Sequence, residues 1–82
     1  MAFRIDVIAD DGRPVVVLAG KLTAEAAEEL LKAATPEPAA LILDLSDVLF
    51  VDATTAGALR TLRDQGAKLV GASRYVELLL EL

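Results

Sequence analysis

LILDLSDVLFVDATTAG, residues 41–57, joins two patterns in one short stretch. Leu41-Ile42-Leu43 is a continuous apolar segment that passes through Asp44-Leu45 into Ser46-Asp47. A second apolar burst, Val48-Leu49-Phe50-Val51, runs up to Asp52, and the small residues Ala53, Thr54, Thr55, Ala56 and Gly57 follow. The spacing predicts a buried strand, a turn at Ser46-Asp47, and a helix that Asp52 caps. A strand that delivers an acidic cap and small hydroxyl residues to an exposed helix N-terminus makes a surface suited to close approach. Plain helix capping, the commoner use of Asp, is the alternative.

Upstream, Phe3, Ile5 and Val7 alternate with Arg4 and Asp6, the period of a half-buried strand. Asp10-Asp11-Gly12 supplies a turn, and Val15-Val16-Val17-Leu18-Ala19 reads as a strand covered on both faces. The chain therefore opens with a hairpin, whose second strand ends at Gly20. Thr23 is placed to cap a helix, with Glu25 in its first turn. Ala26, Ala27, Leu30, Leu31 and Ala34 recur at helical spacing, while Glu25, Glu28, Glu29 and Lys32 take the solvated face. Thr35-Pro36-Glu37-Pro38 breaks that helix.

Downstream of Asp52, Leu59 and Leu62 are the apolar anchors of a helix that Gly66 stops. Ala67-Lys68-Leu69-Val70 reads as a short strand. Ser73 caps a last helix, on which Tyr75, Leu78, Leu79 and Leu82 form the expected buried stripe. Val76 and Leu80 lie off that stripe. They mark either a dimer or partner face or a surface covered by the sheet edge or another helix. The order β-β-α-β-α-β-α implies one α/β domain over residues 1–82, with about four strands in a mixed sheet covered by helices.

Composition narrows the function. The 82 residues are 55% apolar, so the core must come from Leu, Val, Ile and Ala. With no Cys, disulfides, thiolate metal sites and cysteine nucleophiles are excluded, which suits the cytoplasm. With no His, the commonest general base and transition-metal ligand is missing. A net charge of −5 without a basic cluster argues against nucleic acid. No apolar run approaches the ~20 residues of a membrane span, and the acid-bearing N-terminus is no signal peptide. No cofactor or metal site is expected.

Three pieces together resemble the STAS family (sulfate transporter and anti-sigma-factor antagonist). Gly20-Lys21-Leu22-Thr23 with Glu28-Glu29-Leu30 is similar to the family's entry to its first helix. Leu43-Asp44-Leu45-Ser46-Asp47-Val48 with Phe50-Val51-Asp52 resembles its central strand, and Gly66-Ala67-Lys68-Leu69-Val70 its last strand. The family's functional motif is Asp-Ser-Ser-Gly at the strand-to-helix junction. In anti-sigma-factor antagonists, a partner that is both kinase and anti-sigma factor phosphorylates the first Ser, and this releases the antagonist. Here Asp52 matches the Asp, Ala53 stands at the acceptor Ser, Thr54 matches the second Ser, Thr55 replaces the Gly, and Gly57 matches a later small residue. The acceptor is therefore missing. Thr54 and Thr55 are substitutes displaced along the helix, where each residue turns a side chain by roughly 100°. The helix after Asp52 is roughly one turn shorter than is usual in the family. The chain also stops without the family's closing segment, as a minimal domain or a fragment.

The resemblance implies a bacterial signalling module that acts on transcription by protein–protein contact. Its partner-binding residues would be Leu22, Thr23, Asp52, Ala53, Thr54, Thr55, Ala56 and Gly57, its partner a kinase-type anti-sigma factor, and its binding independent of phosphorylation. The alternative is a STAS subunit or regulatory domain of a bacterial transport system, either a lipid-transport ABC complex, with the transporter ATPase subunit as partner, or an anion transporter. An enzyme built on Asp44, Asp47 and Asp52 is disfavoured. Those residues fall in a strand, a turn and a cap, and no His, Cys or Lys nucleophile lies near them.

Overall fold

Seven elements alternate along the chain: β1 (Phe3–Asp10), β2 (Arg13–Leu22), α1 (Ala24–Ala34), β3 (Ile42–Val51), α2 (Ala53–Asp64), β4 (Lys68–Val70) and α3 (Arg74–Glu81). The computed structural model describes residues 3–10, 13–34 and 40–81. Asp11 and Gly12 of the expected turn, the Thr35-Pro36-Glu37-Pro38 break, the Ala34 side chain and Leu82 lie outside what it describes. The strands form one sheet in the order β1-β2-β3-β4. β1 runs antiparallel to β2, from Phe3 opposite Gly20 to Asp10 opposite Arg13, so the expected hairpin is present. β2–β3 and β3–β4 are parallel, and α1 and α2 are the crossovers that parallel pairing requires.

Directly paired residues share a face of the sheet. Ile5, Leu18, Val16 and Leu43 stand on one side; Val15, Val17, Ala19 and Ile42 stand on the other. All three helices send their buried side chains into a single cluster with Val16, Leu18 and Leu43. The run Val15-Val16-Val17-Leu18-Ala19 is thus not sandwiched between two layers. Val16 and Leu18 are fully buried, while Val17 and Ala19 on the far face are half-buried. The unbroken apolar run reflects strand propensity, and Val15 is sheltered by its in-sheet partners Ile8 and Ile42.

β2 does not end at Gly20, and Ser46-Asp47 is not a turn. Val17 pairs with Asp44 and Ala19 with Asp47, so two residues of β3 oppose Leu18; Gly20 pairs with Val48 and Lys21 with Phe50, so Leu49 is extra. Two bulges keep β3 continuous through residues that look like a turn. They also explain its burial pattern. Leu43 and Leu45 are buried at spacing two, then Val48 and Val51 at spacing three, each bulge returning the next apolar residue to the core face. Gly20, at the second bulge, has φ 85°, a conformation natural to glycine. The Ser46 N–H at the first bulge is taken by Asp44 Oδ1 at 3.0 Å, and the Ser46 hydroxyl donates to the same oxygen at 2.6 Å.

α2 buries Leu59 and Leu62, each contributing about 2 kcal/mol by removal from water. It ends as expected at Gly66, with φ 105°. The Gly66 N–H donates to the Arg63 carbonyl and the Ala67 N–H to the Leu62 carbonyl, both at 3.0 Å, which completes a Schellman cap. On α1, Ala26, Ala27 and Leu30 are buried, but Leu31 is exposed. The apolar stripe there is narrower than its sequence implies, because α1 covers the sheet beside α2 with one face only.

α3 departs further. Val76 and Leu80, one turn apart, are the buried pair, and Leu79 packs partly beside them. Tyr75 and Leu78 are exposed. Both sets recur at helical spacing, so periodicity alone does not choose between them. Two tertiary ties orient the helix: the Tyr75 hydroxyl against the backbone of Val51, and Arg63 Nη2 donating to the Leu80 carbonyl at 3.4 Å. Val76 and Leu80 therefore form no dimer face; they are covered by the core. Ser73 caps α3 as expected, its hydroxyl accepting from the Val76 N–H at 3.3 Å.

Candidate binding corner

The parallel strands β2 and β3 end side by side, and α1 and α2 begin there. The Asp52 N–H donates to the Leu22 carbonyl at 3.0 Å, which carries the pairing of the two strands to the first helix boundary. Asp52 then adopts extended angles, φ −81° and ψ 173°, and its Oδ1 accepts the Thr55 N–H at 2.8 Å. The first bond of α2 follows, from the Ala56 N–H to the Asp52 carbonyl at 2.9 Å. Asp52 is the N-cap that its sequence setting predicts.

Thr55 joins the two helices. It is fully buried, and its hydroxyl donates to the Thr23 carbonyl at 2.8 Å. The same carbonyl accepts the Ala27 N–H at 3.1 Å, the first bond of α1. One oxygen thus receives a donor from each helix, and the two N-termini are fixed side by side. The Asp52 carboxyl is held below its usual range by the Thr55 N–H, then by the nearby Thr55 hydroxyl, against a small opposing effect of burial; the Ala24 N–H of α1 acts in the same lowering direction. The hydroxyl has a single proton, engaged by Thr23, so the Thr55 N–H carries the main effect. Asp44 is also lowered, by the Ser46 hydroxyl and then the Ser46 N–H.

The eight corner residues divide by exposure. Ala53 and Thr54 are exposed on the first turn of α2; Thr23, Asp52 and Gly57 are partly so. Leu22, Thr55 and Ala56 lie in the interior and support that surface from beneath. The structure adds residues that the sequence pattern did not single out. β4 stops at Val70, opposite Asp44, so among the described residues the rest of β3 has no strand on that side. There Leu49 is 74% exposed and Phe50 43%. The Tyr75 hydroxyl closes the end of this open edge, lying 3.4 Å from both the N–H and the carbonyl of Val51, as a neighbouring strand would. Only the bulges turn Leu49 and Phe50 outward, and no local pattern announces them.

Asp44 and Asp52 are each occupied with their own local donors, Ser46 and Thr55. Among the described residues, no group of three or more acidic side chains is placed to hold a metal ion. No helix among them is long and apolar enough to cross a membrane.

Residues 4–81 match the STAS domain family. No curated protein sequence matches the chain. Among solved structures, the fold is similar to an antisigma-factor antagonist STAS domain from Rhodobacter sphaeroides, with a TM-score of 0.65 and 19% sequence identity. That similarity covers 89% of this chain and 94% of the other.

Proposed function

Because the chain belongs to the STAS domain family, we propose that it is a protein-interaction module of the anti-sigma-factor-antagonist kind, and that it binds its partner through the corner where α1 and α2 begin. The observation that carries this reading is Ala53: exposed, first in α2, directly after the Asp52 cap, and without a hydroxyl. In the family's motif this position bears the serine whose phosphorylation ends the interaction. A helix N-terminus tolerates a phosphate well, yet its charge and bulk spoil an interface packed against it. With alanine there, the switch has no acceptor and binding is constitutive.

Neither threonine replaces the lost group. The Thr55 hydroxyl is buried and engaged by Thr23, out of reach of a kinase. Thr54 is exposed but points roughly 100° around the helix from position 53. Direct contacts then fall to Thr23, Asp52, Ala53, Thr54 and Gly57, and Leu49 and Phe50 extend the surface with apolar area of the kind that interface cores use.

The test is calorimetric titration with a purified kinase-type anti-sigma factor, with and without ATP. Wild type binds equally in both conditions. Ala53→Ser makes binding sensitive to ATP and gains one phosphate by intact mass. Ala53→Asp weakens binding about tenfold or more while circular dichroism stays unchanged. ATP-driven release of the wild type, or undiminished binding of Ala53→Asp, overturns the proposal.

A further inference from the structure

The outer edge of β1 and the charged face of α1 enclose a groove of about 630 Å³, lined by Phe3, Arg4, Ile5, Glu25, Glu28 and Glu29. We propose that this groove receives an extended basic segment of another protein, added to the sheet as a strand beside β1, with Lys or Arg at every second position. The site is separate from the corner at the start of α2.

Three observations define the occupant. The first is the backbone. β1 is an edge strand of eight residues that, among the described residues, pairs with β2 alone, so its outer N–H and C=O groups have no partner strand there. Long, proline-free edges of this kind accept a further strand, the mode of β-augmentation. The edge strand at the other side of the sheet, β4, is only three residues long.

The second is the lining. Phe3 and Ile5 are half-buried on the face of β1 that looks toward α1, and the glutamates of α1 rise beside them. A strand laid along β1 turns alternate side chains to that face. Each such side chain needs an apolar stem to cover Phe3 and Ile5 and a polar head to reach the glutamates. Lysine and arginine have that construction.

The third is charge. Glu25, Glu28 and Glu29 form no ion pair with any described residue. Arg4 is already engaged by Asp6 at 2.6 Å, and Lys32 lies a turn beyond the lining. Among the described residues, the groove therefore presents three carboxylates without an ion pair, in a chain of net charge −5. A second copy of the chain does not answer this charge. Its own β1 would bring Phe3, Ile5 and Val7 to the α1-facing positions and no cation.

The experiment uses the full chain and a synthetic peptide of alternating Lys and Val, followed by fluorescence anisotropy and by amide chemical shifts. The Lys-Val peptide binds, more weakly as salt rises, and perturbs amides of β1 and α1. The triple variant Glu25→Gln, Glu28→Gln, Glu29→Gln binds about tenfold more weakly. A Glu-Val peptide does not bind, and N-methylation of alternate backbone amides abolishes binding of the Lys-Val peptide. Ala53→Asp binds the peptide like wild type, which keeps this site distinct from the corner. Failure of the Lys-Val peptide to bind, undiminished affinity of the triple variant or of the N-methylated peptide, shifts confined to other elements, or concentration-dependent pairing of two copies through β1 each overturns the proposal.

Discussion

Gly71 follows β4 and Gly57 lies early in α2, and the surroundings of the two glycines differ. Gly71 has φ 71°, and a Cβ there would run into the Ser46 hydroxyl. Gly57 lies inside α2 with open space where its Cβ would stand. Gly71→Ala should therefore cost more than about 1 kcal/mol, while Gly57→Ala should stabilise by about 0.5–1 kcal/mol through helix propensity. Urea denaturation of the two variants checks both signs. At the corner, Asp52 satisfies the Thr55 N–H, which no intrahelical carbonyl can reach. Asp52→Ala should cost about 1 kcal/mol, read as a melting temperature lower by roughly 4–8 °C for a domain of this size.

At the scale of the element, α3 offers the clearest contrast. Leu80 is nearly buried in the core and Leu78 is exposed on the same helix. Leu80→Ala should cost about 2–5 kcal/mol, a large share of the stability of a small domain, and Leu78→Ala no more than about 0.5 kcal/mol. Reversal of that order in thermal melts would return the buried stripe to Tyr75 and Leu78. The helix reads ambiguously as sequence because Leu and Val occupy almost every position from 76 to 80. β3 is legible in its buried first half and illegible in its second. Asp44, Ser46 and Asp47 are turn residues by chemistry, but Asp44 uses its carboxylate to satisfy the bulge, and the strand runs on.

For the whole molecule, two carboxylates respond to acid in the same direction. Asp44 and Asp52 both lie lower in the folded protein than in the unfolded chain. Their stabilising effect is fully present above the ordinary carboxylate value, roughly pH 4, and is lost as pH falls through the lowered folded values. Both groups are near solvent, so each effect is modest. The urea midpoint should be flat from neutral pH to roughly 5 and then fall, and the double variant Asp44→Asn, Asp52→Asn should show a shallower fall. An equally steep fall in that variant would move the acid sensitivity to other carboxylates.

Much of the architecture is written locally. The strand that Phe3, Ile5 and Val7 announce, the cap at Asp52, the stop at Gly66 and the cap at Ser73 each depend on a few consecutive residues and each is present, although Val7 is exposed where Phe3 and Ile5 are half-buried. Ala53 in place of an acceptor serine is likewise visible in the sequence alone. What folding decided joins residues far apart in the chain. The Thr55 hydroxyl reaches Thr23, 32 residues away, and the Tyr75 hydroxyl reaches Val51, 24 residues away. These contacts bury Thr55 and orient α3, while the two bulges of β3 leave Leu49 and Phe50 outward. The groove beside β1 exists because α1, on its way back to β3, lays its glutamates along an edge that no strand among the described residues covers. Hydrophobic period and capping chemistry act over one or two turns; the choice among equivalent faces waits for the partner surface that only the assembled sheet provides.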